Sequence, residues 1–497
     1  MTSTLWTLVA LQIAMGAFDT LFHHEGTERL AWRPSQRREL RLHGVRNLLY
    51  AVMFAALGFA EPRGWLAWAL IALLAAELFI TLWDFVEEDR TRKLPASERV
   101  THTLLSLNYG AILVLLSPVL LAWAAQPTGL APAWHALWSW LCAAAAAGTF
   151  VAGVRDLAAA ARTRLISDTD PARLAAGLPR GSAVLVTGGT GFIGARLVAA
   201  LTAAGHDVTV LTRRREHAAG LPAPIRIVTD LEQISSAARI DAIVNLAGEP
   251  IGNGLWTKRK RRLIVESRLG VTWTLGRLID RLETKPDVLV SGSAIGWYGL
   301  RGDEPLGEDD DSRDCFSHRL CSAWEYAARL AAGRGVRLVV LRTGLVLGRE
   351  GGVLSRMLAP FEFGLGGRFG SGRQWMSWIH RDDLVRLIVR AIADPALSGP
   401  VNGTAPQPAT NAAFARALGR ALRRPAFLPV PAAPLRLALG DFAEELLLGG
   451  QRVLPVKAQA AGFRFDYPTL SGALAEIVGE AQRDGPAFRQ AAAEFAA

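Results

Sequence analysis

Apolar positions follow two different rhythms along this 497-residue chain. Up to about residue 154 they form long runs; beyond residue 182 they come in short bursts bounded by glycine and polar residues. The runs at 5–22, 45–60, 65–83, 104–123 and 134–154 are long enough, or nearly so, to cross about 30 Å of hydrocarbon as helices. They predict five transmembrane helices, with tryptophans at several ends where interfacial belts form. The first run has neither the basic start nor the small-residue cleavage site of a signal peptide, so it is expected to stay.

The bursts at 183–186, 207–212, 225–228, 242–246, 288–290 and 338–341 read as buried strands. Helical stretches separate them, the longest at 258–283. This alternation predicts an α/β class: a doubly wound parallel sheet that places ligands at the carboxyl ends of its strands. Its first unit, AVLVTGGTGFIG (183–194), joins a strand, a glycine turn and a helix start. Gly188 serves the sharp turn, Gly191 the close approach of a pyrophosphate, and Gly194 the packing of helix on strand. Gly189, Thr190, Phe192 and Ile193 complete the predicted cofactor contact, with the helix dipole facing the diphosphate. After the second strand, where an acidic residue would select NAD, the chain reads Thr212-Arg213-Arg214-Arg215. Arginine suits a 2′-phosphate, so NADP is expected over NAD.

The tail predicts a helix at 411–422, a proline-marked loop at 427–434, a helix at 435–448 and a final helix. Gly-rich 364–372 reads as a mobile loop. The expected domains are residues 1–160 (helical membrane part), 161–181 (linker), 182–400 (nucleotide-binding) and 401–497 (substrate or lid domain).

Composition sharpens this picture. With 51% hydrophobic residues and a mean hydropathy of +0.22, the chain is too apolar to be wholly soluble. Its three cysteines, Cys142, Cys315 and Cys321, have neither disulfide-framework nor zinc spacing. The net charge of +10 alone would suggest nucleic acid. Much of the excess instead flanks the apolar runs: Arg29, Arg33, Arg37, Arg38 and Arg41, then Arg90, Arg92, Lys93 and Arg99, against Arg63 alone in the opposite loops. The positive-inside rule then sets the N-terminus outside and the nucleotide-binding part in the cytoplasm, at the inner (plasma) membrane. The partners expected are a lipid bilayer and a small-molecule substrate, with no nucleic acid. The run KRKRR at 258–262 reads as a solvated helix face.

Four polar pairs sit at the cytoplasmic ends of the first four runs: Asp19 and His23, Glu39 and His43, Asp84 and Glu88, Glu98 and His102. Each is spaced i,i+4, with His24 and Glu87 alongside. Two readings follow. The pairs are interfacial polar residues that pair with arginines, or they form a di-metal site for iron, manganese or zinc in a helix bundle.

Several separated motifs carry a family resemblance. TGGTGFIG, the NLAG after the fourth strand, SGSAIGWYG, LRTGLVLG and WIHRDDLV resemble the extended short-chain dehydrogenase/reductases, relatives of nucleotide-sugar epimerases. GEPI, WTKRKRRLIVESR, LCSAWE and NGTAPQPATNAAFARALGRALRRP resemble the atypical epimerase-like subgroup with its C-terminal domain of unknown function. The resemblance covers about 183–478 and not the five apolar runs. It implies the three glycines at the pyrophosphate, Arg213 at the 2′-phosphate, Asp230 and Leu231 at the adenine edge and Ala247 near the nicotinamide ribose. It also implies a catalytic Ser293 and a tail closing over the substrate cleft.

The family's Tyr-x-x-x-Lys pair is missing. Its helix reads FSHRLCSAWEYAARL, with Ser317 and Cys321 at the two positions. Neither replaces a tyrosine whose pKa a lysine lowers for proton exchange with substrate. Tyr298, His318 and His380 are the candidate replacements. Tyr298 and His380 read first as structural, a ring packed under the cofactor or a hydrogen-bonded loop, and His318 equally as a solvent-facing helix residue; if hydride is transferred, Ser293 positions the substrate and Tyr298 or His318 supplies the proton. The function expected is a membrane-anchored NADP-dependent oxidoreductase or epimerase-like protein acting on a small hydroxyl or carbonyl compound. Its rivals are a non-catalytic NADP(H) redox sensor and a membrane di-metal oxidase with a fused reductase-like domain.

Overall fold

The computed structural model describes residues 1–479 except Lys93, Leu165, Ser167, Asp168 and Arg334. Lys93 of the charge count, Asp168 of the linker and the last stretch of the C-terminal domain, 480–497, lie outside the described residues. The chain separates into two compact units, Met1–Ile166 and Ser167–Ala497.

The first unit is helical. Helix α1 (Ser3–Phe18) runs on into a π-helical segment, Asp19–Glu28, and is followed by α2 (Arg37–Phe59), α3 (Trp65–Thr91), α4 (Ala96–Ala124) and α5 (Leu137–Arg162). All five are long and apolar enough to cross a membrane. Their outer surface is apolar, with Phe79 64%, Leu107 69% and Val114 71% exposed. Glu39, Asp84 and Glu98, at 0% exposure, lie inside. Such an arrangement suits hydrocarbon outside and paired charges within. The helices outrun the apolar runs at their polar ends, because the carboxylates and histidines there point into the bundle and keep the helical period.

The second unit is built on seven parallel strands: β1 (Ala183–Thr187), β2 (Asp207–Leu211), β3 (Arg226–Val228), β4 (Ala242–Asn245), β5 (Val288–Ala294), β6 (Arg337–Thr343) and β7 (Gly399–Gly403). In space they run β7-β6-β5-β4-β1-β2-β3. Val184 pairs with Val208 on one side and Ala242 on the other. Alternation along β1 sends its side chains to two cores. Val184 and Val186 pack with Leu197 and Val198 of α6 (Phe192–Ala203). Leu185 packs with Leu275 and Ile279 of α7 (Lys258–Arg281) and with Ala331 of α8 (Phe316–Ala332). Helix α9 (Arg381–Ala393) joins the first core through Leu384 and Ile388.

Two expectations about boundaries need correction. Strand β7 straddles residue 400, so the sheet extends into the tail and the substrate domain cannot begin at 401. The expected linker is also partly packed: Asp170 caps a short helix, Pro171–Leu174, and Leu174 is buried in the first core at 2% exposure. The basic run behaves as expected. Lys258, Arg259 and Arg262 are exposed on α7.

Candidate functional site

In a sheet of this winding the strand order reverses between β1 and β4, and ligands bind in the crevice beyond their carboxyl ends. The chain is fastened at this point. Thr187 Oγ1 donates to Asn245 Oδ1 at 2.7 Å and accepts from the Ala247 N–H at 3.3 Å. Gly188 has φ +69°, and a Cβ there would lie 2.6 Å from the Leu246 carbonyl carbon. A Cβ on Gly194 would lie 2.2 Å from the Gly188 oxygen. Neither position admits a side chain, so the turn is pressed against the end of β4. Thr190 and Gly191 are exposed, and no side chain caps the start of α6. The first N–H groups and the positive end of the helix dipole are therefore directed at whatever occupies the crevice.

Arg213 is exposed beyond β2 and has no ion pair among the described residues. The Asp230 carboxylate accepts from the Glu232 N–H at 3.0 Å. The side chain of Leu231, expected at the adenine edge, is 4% exposed and packs with Ile234, Ile240 and Leu278 in the core. Only its backbone is left to face a ligand, and its carbonyl accepts from Arg281 at 2.8 Å. Phe192 packs against the glycines at 348, 351 and 352.

Strand β5 ends in a buried polar network. Ser293 Oγ donates to Glu325 Oε1 at 2.8 Å, and Arg342 holds the same carboxylate through Nε at 3.0 Å and Nη2 at 3.2 Å. Glu325 and Arg342 are 1% and 2% exposed. The Arg342 guanidinium also lies 3.5 Å from the centre of the Trp297 ring. A glutamate so paired accepts only, so the hydroxyl hydrogen of Ser293 is committed and its lone pairs are what it offers outward.

The expected proton sources part company here. Tyr298 is 0% exposed, with its hydroxyl 2.8 Å from both the Gly307 carbonyl and Asn402 Oδ1. Burial pushes its phenol up to about 12. It follows β5 directly in the turn 295–298 and is a packing residue fastened to Asn402 of β7, the structural of its two expected roles. His318 is only partly buried; its Nδ1 lies 2.6 Å from the Trp297 carbonyl and its Nε2 3.3 Å from Ser322 Oγ. A carbonyl can only accept, so Nδ1 carries the hydrogen in the neutral ring and Nε2 is the basic nitrogen. His380 Nδ1 accepts from the Asp382 N–H at 3.2 Å, and its Nε2 meets Glu476 at 3.0 Å. It caps α9.

At the position of the missing tyrosine, Ser317 donates to Glu445 Oε2 through its hydroxyl at 2.6 Å and its N–H at 2.9 Å. Phe316 N–H donates to the other carboxylate oxygen at 3.0 Å. A residue of the tail thus caps α8, a role sequence reasoning missed because no local pattern links positions so far apart. At the missing lysine, Cys321 is buried, and burial with the nearby Glu325 pushes its thiol up to about 12.

In the helical unit the expected carboxylates and histidines do meet. Two groups present ligand atoms that all lie within 4.8 Å of one another: His24, Glu88, Glu98 and His102, and Glu39, His43 and Glu88. His23 is in neither. Its ring is taken by Asp19 Oδ1 at 2.8 Å and Ser97 at 3.3 Å. Both histidines are buried, but across the π-helical segment it is His24, not His23, that is set against Glu88 and Glu98. Asp19 Oδ2 bonds His102 at 3.3 Å, and Asp84 Oδ2 bonds Arg46 at 2.8 Å.

The winding, the glycine turn and the switch point define a dinucleotide-binding fold of the epimerase/dehydratase class. Residues 184–402 match the NAD dependent epimerase/dehydratase family, and residues 430–477 match a domain of unknown function, DUF1731. Over 299 residues the chain is 43% identical to the Bos taurus "Epimerase family protein SDR39U1", covering 59% of this chain and 99% of that protein. It is 37% identical over 305 residues to the "Epimerase family protein YfhF" of Bacillus subtilis, covering 60% of this chain and 98% of that one. The crystal structure of human SDR39U1 (isoform 2) with NADPH superposes with a TM-score of 0.55 at 38% identity, over 60% of this chain and 99% of that one. The chain belongs to the epimerase family of SDR39U1-type proteins with a DUF1731 C-terminal domain.

Proposed function

We propose that this protein binds NADP(H) at the glycine turn and uses it for oxidoreduction or epimerisation of a small hydroxyl- or carbonyl-bearing substrate. The observation that carries the reading is the crevice between β1 and β4, closed by Gly188 and flanked by the uncommitted guanidinium of Arg213. NADPH in the human relative supports the choice of cofactor.

The cofactor, when bound, supplies hydride chemistry at its nicotinamide. Ser293, its hydrogen held by Glu325, offers its lone pairs to a second donor of the substrate and so orients the reacting carbon. With a nicotinamide bound to take the hydride, Nε2 of His318 would receive the single proton of the hydroxyl on that carbon, and the reverse reaction would return it. The Trp297 carbonyl stabilises the imidazolium through Nδ1–H. The tyrosine–lysine route has no counterpart, because Ser317 is engaged by Glu445 and Cys321 is a buried neutral thiol.

In turnover assays against a panel of alcohols and nucleotide sugars, Ser293→Ala and His318→Asn should each lower kcat by about 10²- to 10⁴-fold, the usual worth of general acid–base catalysis. NADPH binding should be unchanged. Undiminished turnover in the double variant contradicts this assignment.

A second reading, a non-catalytic NADP(H) redox sensor, is favoured by one observation: Glu445 closes off the family's proton-relay position. Binding of NADPH with no turnover of any panel member would select it.

The apolar outer face of the helices and the arginine distribution support five spans, with the nucleotide-binding unit in the cytoplasm. A reporter fused after Ala497 should be active only if it functions in the cytoplasm. Activity of an export-dependent reporter there would reverse the orientation.

A further inference from the structure

We infer that the helical unit holds two divalent transition-metal ions in its interior, with Glu88 shared between them. The inference concerns the helices alone and stands apart from the nucleotide reading.

Glu88 is 1% exposed, and neither of its carboxylate oxygens accepts a hydrogen bond from any described residue. The Arg92 guanidinium lies 3.5 Å from its Oε1 but is shared with Glu39 and Glu98, and a buried carboxylate so thinly compensated costs several kcal/mol unless further charge is supplied. It lies beside two buried histidine nitrogens. Nε2 of His24 is 3.3 Å from Asp19 Oδ2, and the His24 and His43 rings stack with centres 4.5 Å apart. His43 Nε2 is only 2.8 Å from Asp84 Oδ2 and 3.9 Å from Glu88 Oε1. His24 Nε2 is 3.8 Å from Glu98 Oε1, and His102 Nδ1 is 3.4 Å from Glu88 Oε2. Apart from the His43–Asp84 and His24–Asp19 ion pairs, these nitrogens and oxygens converge at 3.4–3.9 Å without a hydrogen bond, which is how ligands lie when a cation belongs between them.

The charges agree. Among the described residues, Asp19, Glu39, Asp84, Glu88 and Glu98 are five buried carboxylates of this cluster, and Arg46 and Arg92 pair with them at hydrogen-bond distance. With the histidines neutral, that leaves three negative charges for bound cations to offset. Arg92 reaches Glu39 at 2.9 Å and Glu98 at 2.7 Å, from which it orients the outer carboxylate of each group. Asp19, bonded to His23 and His102, serves in the same way. Mixed imidazole and carboxylate donors suit iron, manganese or zinc, and hard oxygen-only ions poorly. One ion lies among His24, Glu88, Glu98 and His102, and the other among Glu39, His43 and Glu88.

The test is metal analysis of the full-length protein in detergent, stripped with chelator and reloaded separately with Fe(II), Mn(II) and Zn(II). Two ions per chain are expected for at least one metal, with a higher unfolding temperature on loading. Glu88→Gln, nearly isosteric, should lose both ions, while His43→Ala and His102→Ala should each lose one. Size-exclusion profiles check that the variants fold, and wild-type stoichiometry decides without them. A single ion overturns the shared-Glu88 arrangement. Less than one equivalent, or full loading of folded Glu88→Gln, overturns the site and leaves the polar cluster as charge pairing with the arginines. Neither result affects NADPH binding.

Discussion

Ser293 donates its hydroxyl hydrogen to Glu325, 2.8 Å away, and so joins the end of β5 to an ion pair that is itself sealed from solvent. Arg342 binds both oxygens of that carboxylate. Removing one partner strands a buried charge, at a cost of about 3–5 kcal/mol. Arg342→Met should destabilise the protein by that order in urea unfolding, and Glu325→Leu with Arg342→Met should recover most of it. A cost below about 1 kcal/mol for the single variant would contradict a sealed pair.

Glu445 and Ser317 make the second long-range tie. One carboxylate accepts from two backbone N–H groups at the start of α8 and from the Ser317 hydroxyl. A charged cap of this kind is worth about 1–2 kcal/mol. Glu445→Ala should cost that much and expose 430–450 to proteolysis sooner than the sheet. Unchanged digestion would show that the tail is held by its apolar contacts alone.

Stability should fall on the alkaline side. Cys321 is raised from 9.0 to about 12 and Tyr298 from 10.0 to about 12, both by burial. Between the unfolded and folded values the native chain keeps protons that the unfolded chain has released, so raising the pH favours unfolding. Each group contributes a loss of about 1.4 kcal/mol per pH unit within its window. From pH 9 to 10 the Cys321 thiol acts with Cys315, whose thiol burial also raises. The difference between the unfolding free energies at those two values should shrink in Cys321→Ala; an unaltered slope would mean the thiol is solvated.

Two glycines with similar dihedral angles separate strain from steric exclusion. Gly188 (φ +69°) faces the backbone of Leu246, while at Gly205 (φ +79°) an added Cβ would meet nothing within 4 Å. Gly205→Ala should cost only the left-handed strain, about 1–2 kcal/mol, and retain NADPH binding. Gly188→Ala should abolish binding, because the turn must move off β4. Equal binding by both variants would remove the turn from the site.

What the chain discloses without coordinates depends on range. The strands of the sheet, the glycine turn and the five apolar helices are set by local periodicity; the expected strands lie within a few residues of their places, while the helices run on by up to about two turns at their polar ends. β7 escaped because it opens with glycine and proline, which argue against a strand. For Tyr298 its place after β5 left a structural and a catalytic role open, because the environment that decides between them comes from Asn402 and Arg342, distant in sequence. Leu231 behaves likewise: a dipeptide motif cannot say which of its two side chains turns into the core. The histidine–carboxylate pairs were legible from i,i+4 spacing, but the exchange of His23 for His24 depends on a π-helical segment that such spacing does not encode.

The proposed NADP(H) site at the glycine turn and Arg213 is tested most directly by equilibrium binding of NADPH and NADH to the full-length protein in detergent, for wild type, Gly191→Asp and Arg213→Asp. Wild type should bind NADPH more tightly than NADH. Gly191→Asp should lose both nucleotides, and Arg213→Asp should lose the preference. Equal affinity of folded wild type for the two nucleotides, or no binding of either, would contradict it.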